Sequence, residues 1–165
     1  MVIEMEGGDI PPRVEMENLV KNQERANSVP RMYIDSDSAL CSGCRRCQLA
    51  CSLFHYGECN PEIACVQVTK DVFSGEYQIE TCRQCEEPQC IDACPVEAIH
   101  VDEKTGARVI DENECIGCRA CEEACPYHMI GYNAERNVCF KCDLCGGNPQ
   151  CVAHCPLAAV TLFKT

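Results

Sequence analysis

Cysteines at short, regular spacings are the residues of this sequence that could do chemistry. The chain has 19 cysteines in 165 residues, and after residue 40 most of them fall into four short units. The units are CSGCRRCQLAC, CRQCEEPQCIDACP, CIGCRACEEACP and CFKCDLCGGNPQCVAHCP, at 41–51, 82–95, 115–126 and 139–156. Such a density of thiols in a short chain indicates either a disulfide framework or a metal-binding protein.

The spacing within the units favours iron–sulfur clusters. The unit at 115–126 matches C-x2-C-x2-C-x3-C-P, the bacterial ferredoxin run for a [4Fe–4S] cluster, whose fourth cysteine ligates the other cluster of a pair. Zinc sites use two separated Cys-x2-Cys pairs, and disulfides need an oxidising compartment. Neither of these uses explains repeated cysteine triplets that are each followed by a fourth cysteine. The four units therefore predict four [4Fe–4S] clusters.

The spacing also selects the ligands within each unit. Every unit ends in Cys-x3-Cys, which identifies its third and fourth ligands. In the last unit Cys139, Cys142 and Cys145 all lie upstream of Cys151. We favour Cys142 and Cys145, because the gap before Cys151 is then similar to the insertion in the second unit; the alternative uses Cys139. The sixteen predicted iron ligands are Cys41, Cys44, Cys47, Cys51, Cys82, Cys85, Cys90, Cys94, Cys115, Cys118, Cys121, Cys125, Cys142, Cys145, Cys151 and Cys155.

The remaining residues near the units carry weaker signals. Cys59, Cys65 and Cys139 are interpreted as packed thiols, since a free cysteine behaves as a small apolar residue. Three arginines lie inside cluster loops, where they are either solvated surface or partial compensation for cluster charge. They are Arg45, Arg46 and Arg119. His128 and His154 lie near predicted ligands and are either ordinary histidines or donors to a cluster.

Composition limits the other function classes. A formal net charge of −12 argues against nucleic-acid binding, which requires a basic face. No stretch approaches the roughly 18 apolar residues of a membrane span, and the start MVIEMEGGDI has no apolar signal region. We therefore expect a cytoplasmic chain without membrane insertion. No glycine-rich dinucleotide fingerprint follows a predicted strand, so we expect no catalytic site in this chain.

Short elements must position the ligands. VQVTKDVFSGEYQIE at 66–80 and IHVDEKTGARVID at 99–111 predict β-hairpins, and the residues between the third and fourth cysteines suit helical turns. The proline after the fourth cysteine predicts a helix that starts there. Residues 1–32 contain no cysteine and predict a disordered tail or an arm that docks on a partner, with a short helix in PRVEMENLVKN. Residues 33–165 then form the cluster domain.

From Cys41 to Pro156 the chain resembles the four-cluster ferredoxin-like subunits of dimethyl sulfoxide reductase-type complexes. The order of the units, the insertion in CRQCEEPQC and the KCDLC opening of the last unit carry this resemblance. The short GGNPQ after KCDLC is more similar to small iron–sulfur subunits that accompany tungsten enzymes of the aldehyde ferredoxin oxidoreductase type. Those enzymes include aldehyde oxidoreductases and class II benzoyl-CoA reductase.

The resemblance implies an α+β fold of two nested bacterial-ferredoxin-like dicluster units with short strands and helices. Units 82–95 and 115–126 would form the inner pair, and units 41–51 and 139–156 the outer pair. Ser52 replaces the proline after Cys51, which departs from the ferredoxin pattern at that point. The implied ligand sets are Cys82, Cys85, Cys90 with Cys125; Cys115, Cys118, Cys121 with Cys94; Cys41, Cys44, Cys47 with Cys155; and Cys142, Cys145, Cys151 with Cys51.

The resemblance also implies a function. The chain would be an electron-transfer subunit that passes single electrons between a tungsten- or molybdenum-pterin catalytic subunit and a redox partner, such as a flavin protein or a ferredoxin. An alternative is a free soluble polyferredoxin without a permanent catalytic partner. A third class is a structural metal module, which predicts zinc instead of iron.

Loss of iron is expected to unfold most of the chain. Aromatic residues are few and tryptophan is absent, so the apolar core is thin and metal binding contributes much of the folding free energy. Far-ultraviolet circular dichroism before and after anaerobic chelation of iron measures this. A native spectrum in the iron-free protein would contradict the prediction.

Overall fold

The computed structural model describes residues 31–164, which form short strands and short helices. The strands are β1 Met32–Ser36, β2 Val66–Lys70, β3 Tyr77–Thr81, β4 Ile99–Val101, β5 Arg108–Ile110, β6 Gly131–Asn133, β7 Val138–Phe140 and β8 Val160–Lys164. The α-helices are α1 Arg46–Tyr56, α2 Gln89–Asp92, α3 Ala120–Ala124 and α4 Gln150–Ala153, and 3-10 turns cover Ser38–Leu40, Pro61–Ile63 and Leu144–Gly147. The predicted α+β class is confirmed.

The strands of residues 31–164 pair into four antiparallel two-stranded sheets. Three of these sheets are hairpins of consecutive strands: β2–β3, β4–β5 and β6–β7. The first two are the predicted hairpins at 66–80 and 99–111, whereas the β6–β7 hairpin was not predicted. The fourth sheet pairs β1 with β8, so that Met32 lies opposite Lys164 and Ser36 opposite Val160. The two ends of the described region therefore meet.

Side-chain contacts on both faces of the β1–β8 sheet stabilise its pairing. Ile34 and Val160 are almost fully buried and contribute to the outer core. On the other face the rings of Tyr33 and Phe163 stack with their centroids 5.5 Å apart. Met32 is also buried in this strand. The predicted helix at 12–22 lies outside the described residues.

Two apolar cores lie within the fold, and thiols contribute to both. The outer core combines aliphatic side chains from β1, β2, β3 and β8 with Cys47, Cys51 and Cys151. The inner core surrounds Ile99 with further aliphatic residues, together with Cys121 and other cysteines. Outer and inner cores match the nesting that the resemblance implies. No helix within residues 31–164 is long and apolar enough to cross a membrane.

The position of the helices relative to the prolines differs from the prediction. Helices α2, α3 and α4 lie before the fourth cysteine of their units and end one or two residues before it. A turn, not a helix, follows each Cys-Pro pair. The prediction that Pro156 starts a helix is therefore wrong. Proline also follows helix C-termini, because it cannot continue the hydrogen-bond ladder.

Helix α1 shows what happens without the proline. It runs for 11 residues through Cys51 and Ser52, and it ends at Gly57, which has a φ of 74°. The Ser52 hydroxyl donates to the carbonyl oxygen of Leu49 at 3.2 Å and accepts from the amide of Asn60 at 3.0 Å. The helix therefore continues through Ser52, at the position where proline follows the fourth cysteine in the other units. The Ser52 hydroxyl also holds the loop that follows the helix by its hydrogen bond with Asn60.

Candidate metal centres

The first group of thiols contains Cys41, Cys44, Cys47 and Cys155. These four residues line one cavity, whose apolar walls come from β2, β3 and β8. Burial raises the pKa of Cys47 to about 11, and the neighbouring sulfurs of Cys155, Cys41 and Cys44 also raise it. Mutual repulsion of this kind shows that the thiols converge, and a bound metal would relieve it.

The second group contains Cys51, Cys142, Cys145 and Cys151. They line a second cavity, together with His55. Burial raises the pKa of Cys151 to about 12, and the sulfurs of Cys51 and Cys145 raise it further. The 3-10 turn after Asp143 directs Cys145 to this cavity.

The third group contains Cys82, Cys85, Cys90 and Cys125. Cys85, Cys90 and Cys125 line a groove beside Pro88. Burial raises the pKa of Cys85, and the sulfurs of Cys82 and Cys125 raise it further, so Cys82 faces the same point. The groove is bordered by the segment that inserts extra residues before Cys90, which widens the loop relative to the first unit.

The fourth group contains Cys94, Cys115, Cys118 and Cys121. Cys94 and Cys115 pack against the inner core that contains Cys121. Burial raises the pKa of Cys121 above its ordinary value, and Cys139 and Cys115 raise it further. Cys118 is exposed on the loop that follows Cys115. Cys94, Cys115 and Cys121 thus lie around one core, Cys118 lies at the surface, and the implied ligand set stays a prediction.

One backbone conformation recurs in the loops. The residue before the second predicted ligand of each unit has a positive φ: 69° at Gly43, 47° at Gln84, 69° at Gly117 and 60° at Leu144. A left-handed residue reverses the chain and brings the flanking thiols to one side. Glycine does this freely, whereas Gln84 and Leu144 each incur about 1–2 kcal/mol. Both side chains are fully buried, so packing offsets the backbone strain.

Backbone amides point at several of the thiol sulfurs. The amide donors lie 3.3–3.5 Å from sulfur, and the pairs are Gly43 N to Cys41, Cys65 N to Cys51, Met129 N to Cys125, Cys139 N to Cys115 and Ala159 N to Cys155. Before two of these donors, His128 and Ala158 have φ values of 52° and 51°, which turns the next amide towards the sulfur. Amides placed in this way stabilise thiolates and tune the potential of a bound cluster.

The four groups neighbour one another in the order first, second, third and fourth, and this succession is called the row. Besides burial, the sulfur of Cys47 in the first group raises the pKa of Cys151 in the second. Burial raises the pKa of Cys142, and Cys82 of the third group raises it further. The pKa of Cys121 in the fourth group is raised mainly by burial and by Cys139 and Cys115. Cys90 of the third group makes a smaller contribution in the same direction. Each group therefore neighbours the next.

Exposure is concentrated at the two ends of this row. Among the sixteen predicted ligands, only Cys44 and Cys118 are exposed, and they belong to the first and fourth groups. The ligands of the second and third groups are buried or half-buried. Solvent or a docked protein can thus approach the ends of the row more closely than its middle.

The remaining cysteines divide into two kinds. Cys65 and Cys139 are buried, as expected for packed thiols, and hydrogen bond with the sulfurs of Cys51 and Cys121. Cys59 is exposed and differs from that expectation. Cys65 donates to Cys51, whereas Cys139 accepts from Cys121. These thiol–thiol hydrogen bonds were not foreseen, since no spacing rule marks them.

Side chains near the groups confirm only part of the sequence analysis. Arg119 is exposed and pairs with Glu122 at 2.7 Å, as solvated surface residues do. His154 is exposed, and its Nδ1 lies 2.9 Å from the carbonyl oxygen of Gln150. His55, to which no role was assigned, lies with Nε2 3.6 Å from Cys145 Sγ and 3.4 Å from the Asp143 carboxylate. Only folding brings these three side chains together.

The fold and its convergent thiols define a ferredoxin-type iron–sulfur protein. Residues 73–164 match the family model of the 4Fe-4S dicluster domain, and residues 38–57 match that of a 4Fe-4S binding domain. The protein therefore belongs to the 4Fe-4S dicluster family.

Relatives of known name agree with this assignment. The sequence is 47% identical over 134 residues to the polyferredoxin-like subunit of aliphatic sulfonate oxidoreductase from Pyrococcus furiosus, covering 81% of this protein and 77% of the relative. It is 36% identical over 145 residues to a subunit of anaerobic dimethyl sulfoxide reductase from Escherichia coli, covering 75% and 69%. One subunit of the active-site complex BamBC of benzoyl coenzyme A reductase, solved with zinc, superposes with a TM-score of 0.50 at 28% identity, covering 82% and 80%.

The geometry favours Cys145 over Cys139 as a ligand, because Cys145 lines the second cavity while Cys139 lies beside Cys115 and Cys121. We expect Cys145→Ser to lower bound iron, by up to about four atoms if one cubane is lost, and Cys139→Ser to retain it. Iron and acid-labile sulfide assays on anaerobically purified variants measure this. Iron loss in Cys139→Ser alone would reverse the assignment.

Gly117, one of the left-handed loop residues, is expected not to tolerate a side chain. Added there, a Cβ would clash with the carbonyl oxygen of Asn137, whereas at Gly57, with a similar φ of 74°, it would meet nothing within 4 Å. Gly57→Ala should incur only the left-handed penalty of about 1–2 kcal/mol. Gly117→Ala should lower the temperature of iron release further, measured at one scan rate. Equal shifts in the two variants would show that the loop adapts.

Proposed function

We propose that this chain is an electron-transfer subunit carrying four [4Fe–4S] clusters in a cytoplasmic oxidoreductase complex. The observation that carries the proposal is the row of four thiol groups whose exposed ligands, Cys44 and Cys118, lie in its two end groups. Electron tunnelling falls steeply with distance, so closely spaced carriers maintain the rate across a protein. A row with exposed ends suits entry of electrons at one end and exit at the other.

The donor chemistry of the groups fits iron–sulfur clusters. Soft thiolates suit Fe–S clusters and zinc, and the triplet loop with a fourth, remote cysteine distinguishes the former. Each predicted set combines three thiols from one unit with one thiol from another unit. Amides also point at sulfurs in all four groups, for example at Cys41, Cys51 and Cys125. We infer that the sixteen cysteines are the iron ligands.

When bound, the clusters supply one-electron oxidation and reduction. The residues of the chain do the rest: the loops hold the thiolates, the amides donate to them, and the apolar side chains exclude water. Ile34 and Leu144, for example, form walls of the second cavity. Because burial raises the pKa of Cys145 to about 11, its thiol must lose a proton as it takes up iron.

A tungsten- or molybdenum-pterin subunit is the partner that we propose, with a flavin protein or ferredoxin at the other end of the row. The support is the naming of the relatives as subunits of a dimethyl sulfoxide reductase and of a sulfonate oxidoreductase. The reaction would then belong to the partner, and this chain would carry electrons without a catalytic site.

Anaerobic purification of the native protein tests the proposal. We expect a complex well above the 18.3 kDa of this chain, with about sixteen irons per copy of it and tungsten or molybdenum in a co-purifying protein. A lone 18.3 kDa species with a full iron load would favour the free polyferredoxin. Fewer than about eight irons per chain, or zinc in their place, would contradict the four-cluster assignment.

A further inference from the structure

Two cations are buried at the junction of the inner and outer halves. Lys141 is 7% exposed and Arg108 is 2% exposed. Within residues 31–164, neither side chain forms an ion pair with a carboxylate. A charge taken out of water without a counter-ion is strongly unfavourable, so the folded protein must supply negative charge beside these groups.

Hydrogen bonds hold the Lys141 ammonium in one place. Nζ donates to the carbonyl oxygen of Arg108 on β5 and, at 3.5 Å, to that of Cys142. Gln84 braces the same junction: its side-chain amide donates to the carbonyl of Cys142 at 2.8 Å, and its carbonyl accepts from the amide of Arg108 at 2.8 Å. The lysine thus joins the inner hairpin to the start of the last unit.

The groups that face Lys141 are sulfurs. Burial opposes the charged form of Lys141, but the neighbouring sulfurs of Cys82, Cys90 and Cys142 raise its pKa, and Nζ also hydrogen bonds with the Cys82 thiol. Burial and the charge of Arg31 lower the pKa of Arg108, while the sulfurs of Cys85, Cys90 and Cys82 act in the opposite direction. The Arg108 guanidinium donates to the carbonyl of Gly106 at 2.9 Å, while its buried Nε has no hydrogen-bond partner within residues 31–164. Both cations therefore lie against the third group.

An iron–sulfur cluster on the third group would supply the missing charge. A [4Fe–4S] core with four thiolates carries about −2 when oxidised and about −3 when reduced. We propose that Lys141, together with Arg108, sets the potential of that cluster by stabilising its reduced form. The proposal rests on the assignment of Cys82, Cys85, Cys90 and Cys125 as its ligands. A cluster held by these cysteines would accept one electron from a cluster held by a neighbouring group.

Burial distinguishes these cations from others near the loops. Arg45 and Arg119 are exposed, so water and salt screen their charges. The interior between the second and third groups has a lower effective dielectric, in which one charge acts strongly on both. Lys141 also neighbours Cys142 of the second group, so we expect a smaller shift of that cluster in the same direction.

Charge and hydrogen bonding can be separated by substitution. Lys141→Gln removes the charge and keeps a donor, Lys141→Arg keeps both, and Lys104→Gln removes an exposed lysine from the β4–β5 turn as a matched control. The variants are purified anaerobically with their partner, assayed for iron, and titrated potentiometrically with electron paramagnetic resonance of the reduced clusters.

In Lys141→Gln with a full iron load, we expect the ratio of reduced to oxidised cluster at a fixed potential to fall at least tenfold for one cluster. For a one-electron couple this equals a midpoint about 59 mV lower. Lys141→Arg should stay near the parent value, and Lys104→Gln should not differ from it. A purely structural lysine would leave the potentials unchanged once the iron load is full, and that result would overturn the proposal.

Two further variants keep the outcome decisive. If Lys141→Gln loses iron, Arg108→Gln takes its place: a lowered midpoint of the same cluster supports the proposal, and unchanged midpoints at full iron overturn it. Cys82→Ser tests the underlying assignment. Retention of all iron in Cys82→Ser would show that the ligand assignment fails, independently of any result at Lys141.

Discussion

The structure depends on one geometric constraint: four sulfur atoms from separate parts of the chain must converge on a single point. A triplet loop provides three of them, and the fourth comes from another unit. The first and last units meet this requirement by placing Cys155 beside Cys41 and Cys47. Pairing of β1 with β8 holds the ends of the described region together, and the inner pair of units lies between them in the sequence. Nesting is thus the architecture that the predicted sharing of ligands between units would require.

The sequence predicted the parts of this arrangement that depend on local spacing. The hairpins at 66–80 and 99–111 form because a turn separates two alternating stretches. The β1–β8 sheet was not foreseen, since its strands lie at opposite ends of the domain and each is only five residues long. The predicted position of the helices, after the Cys-Pro pairs, was wrong because proline suits both the first turn of a helix and the position after its end.

Buried polar residues were the hardest to predict. Nothing in KCDLC distinguishes Lys141 from a surface lysine, and Gln84 looks like a loop residue. Their burial depends on the contact between the second and last units, which only the folded chain creates. Likewise, spacing alone gave only a preference for Cys145 over Cys139. The folded structure places Cys145 at the second cavity and Cys139 in the inner core. Long-range contacts therefore account for most of what the sequence analysis missed.

Charge balance links the buried cations to electron transfer. The protein already has a formal net charge of −12, and each all-thiolate cluster would add about −2 before any electron arrives. Every added electron is then repelled by its surroundings, most strongly where water is excluded. Exposed end groups can be solvated, but the middle of the row cannot. In the proposed four-cluster subunit, the buried lysine and arginine beside the third group would offset that repulsion where solvent cannot, so that electrons could pass through the centre without a prohibitive step in potential.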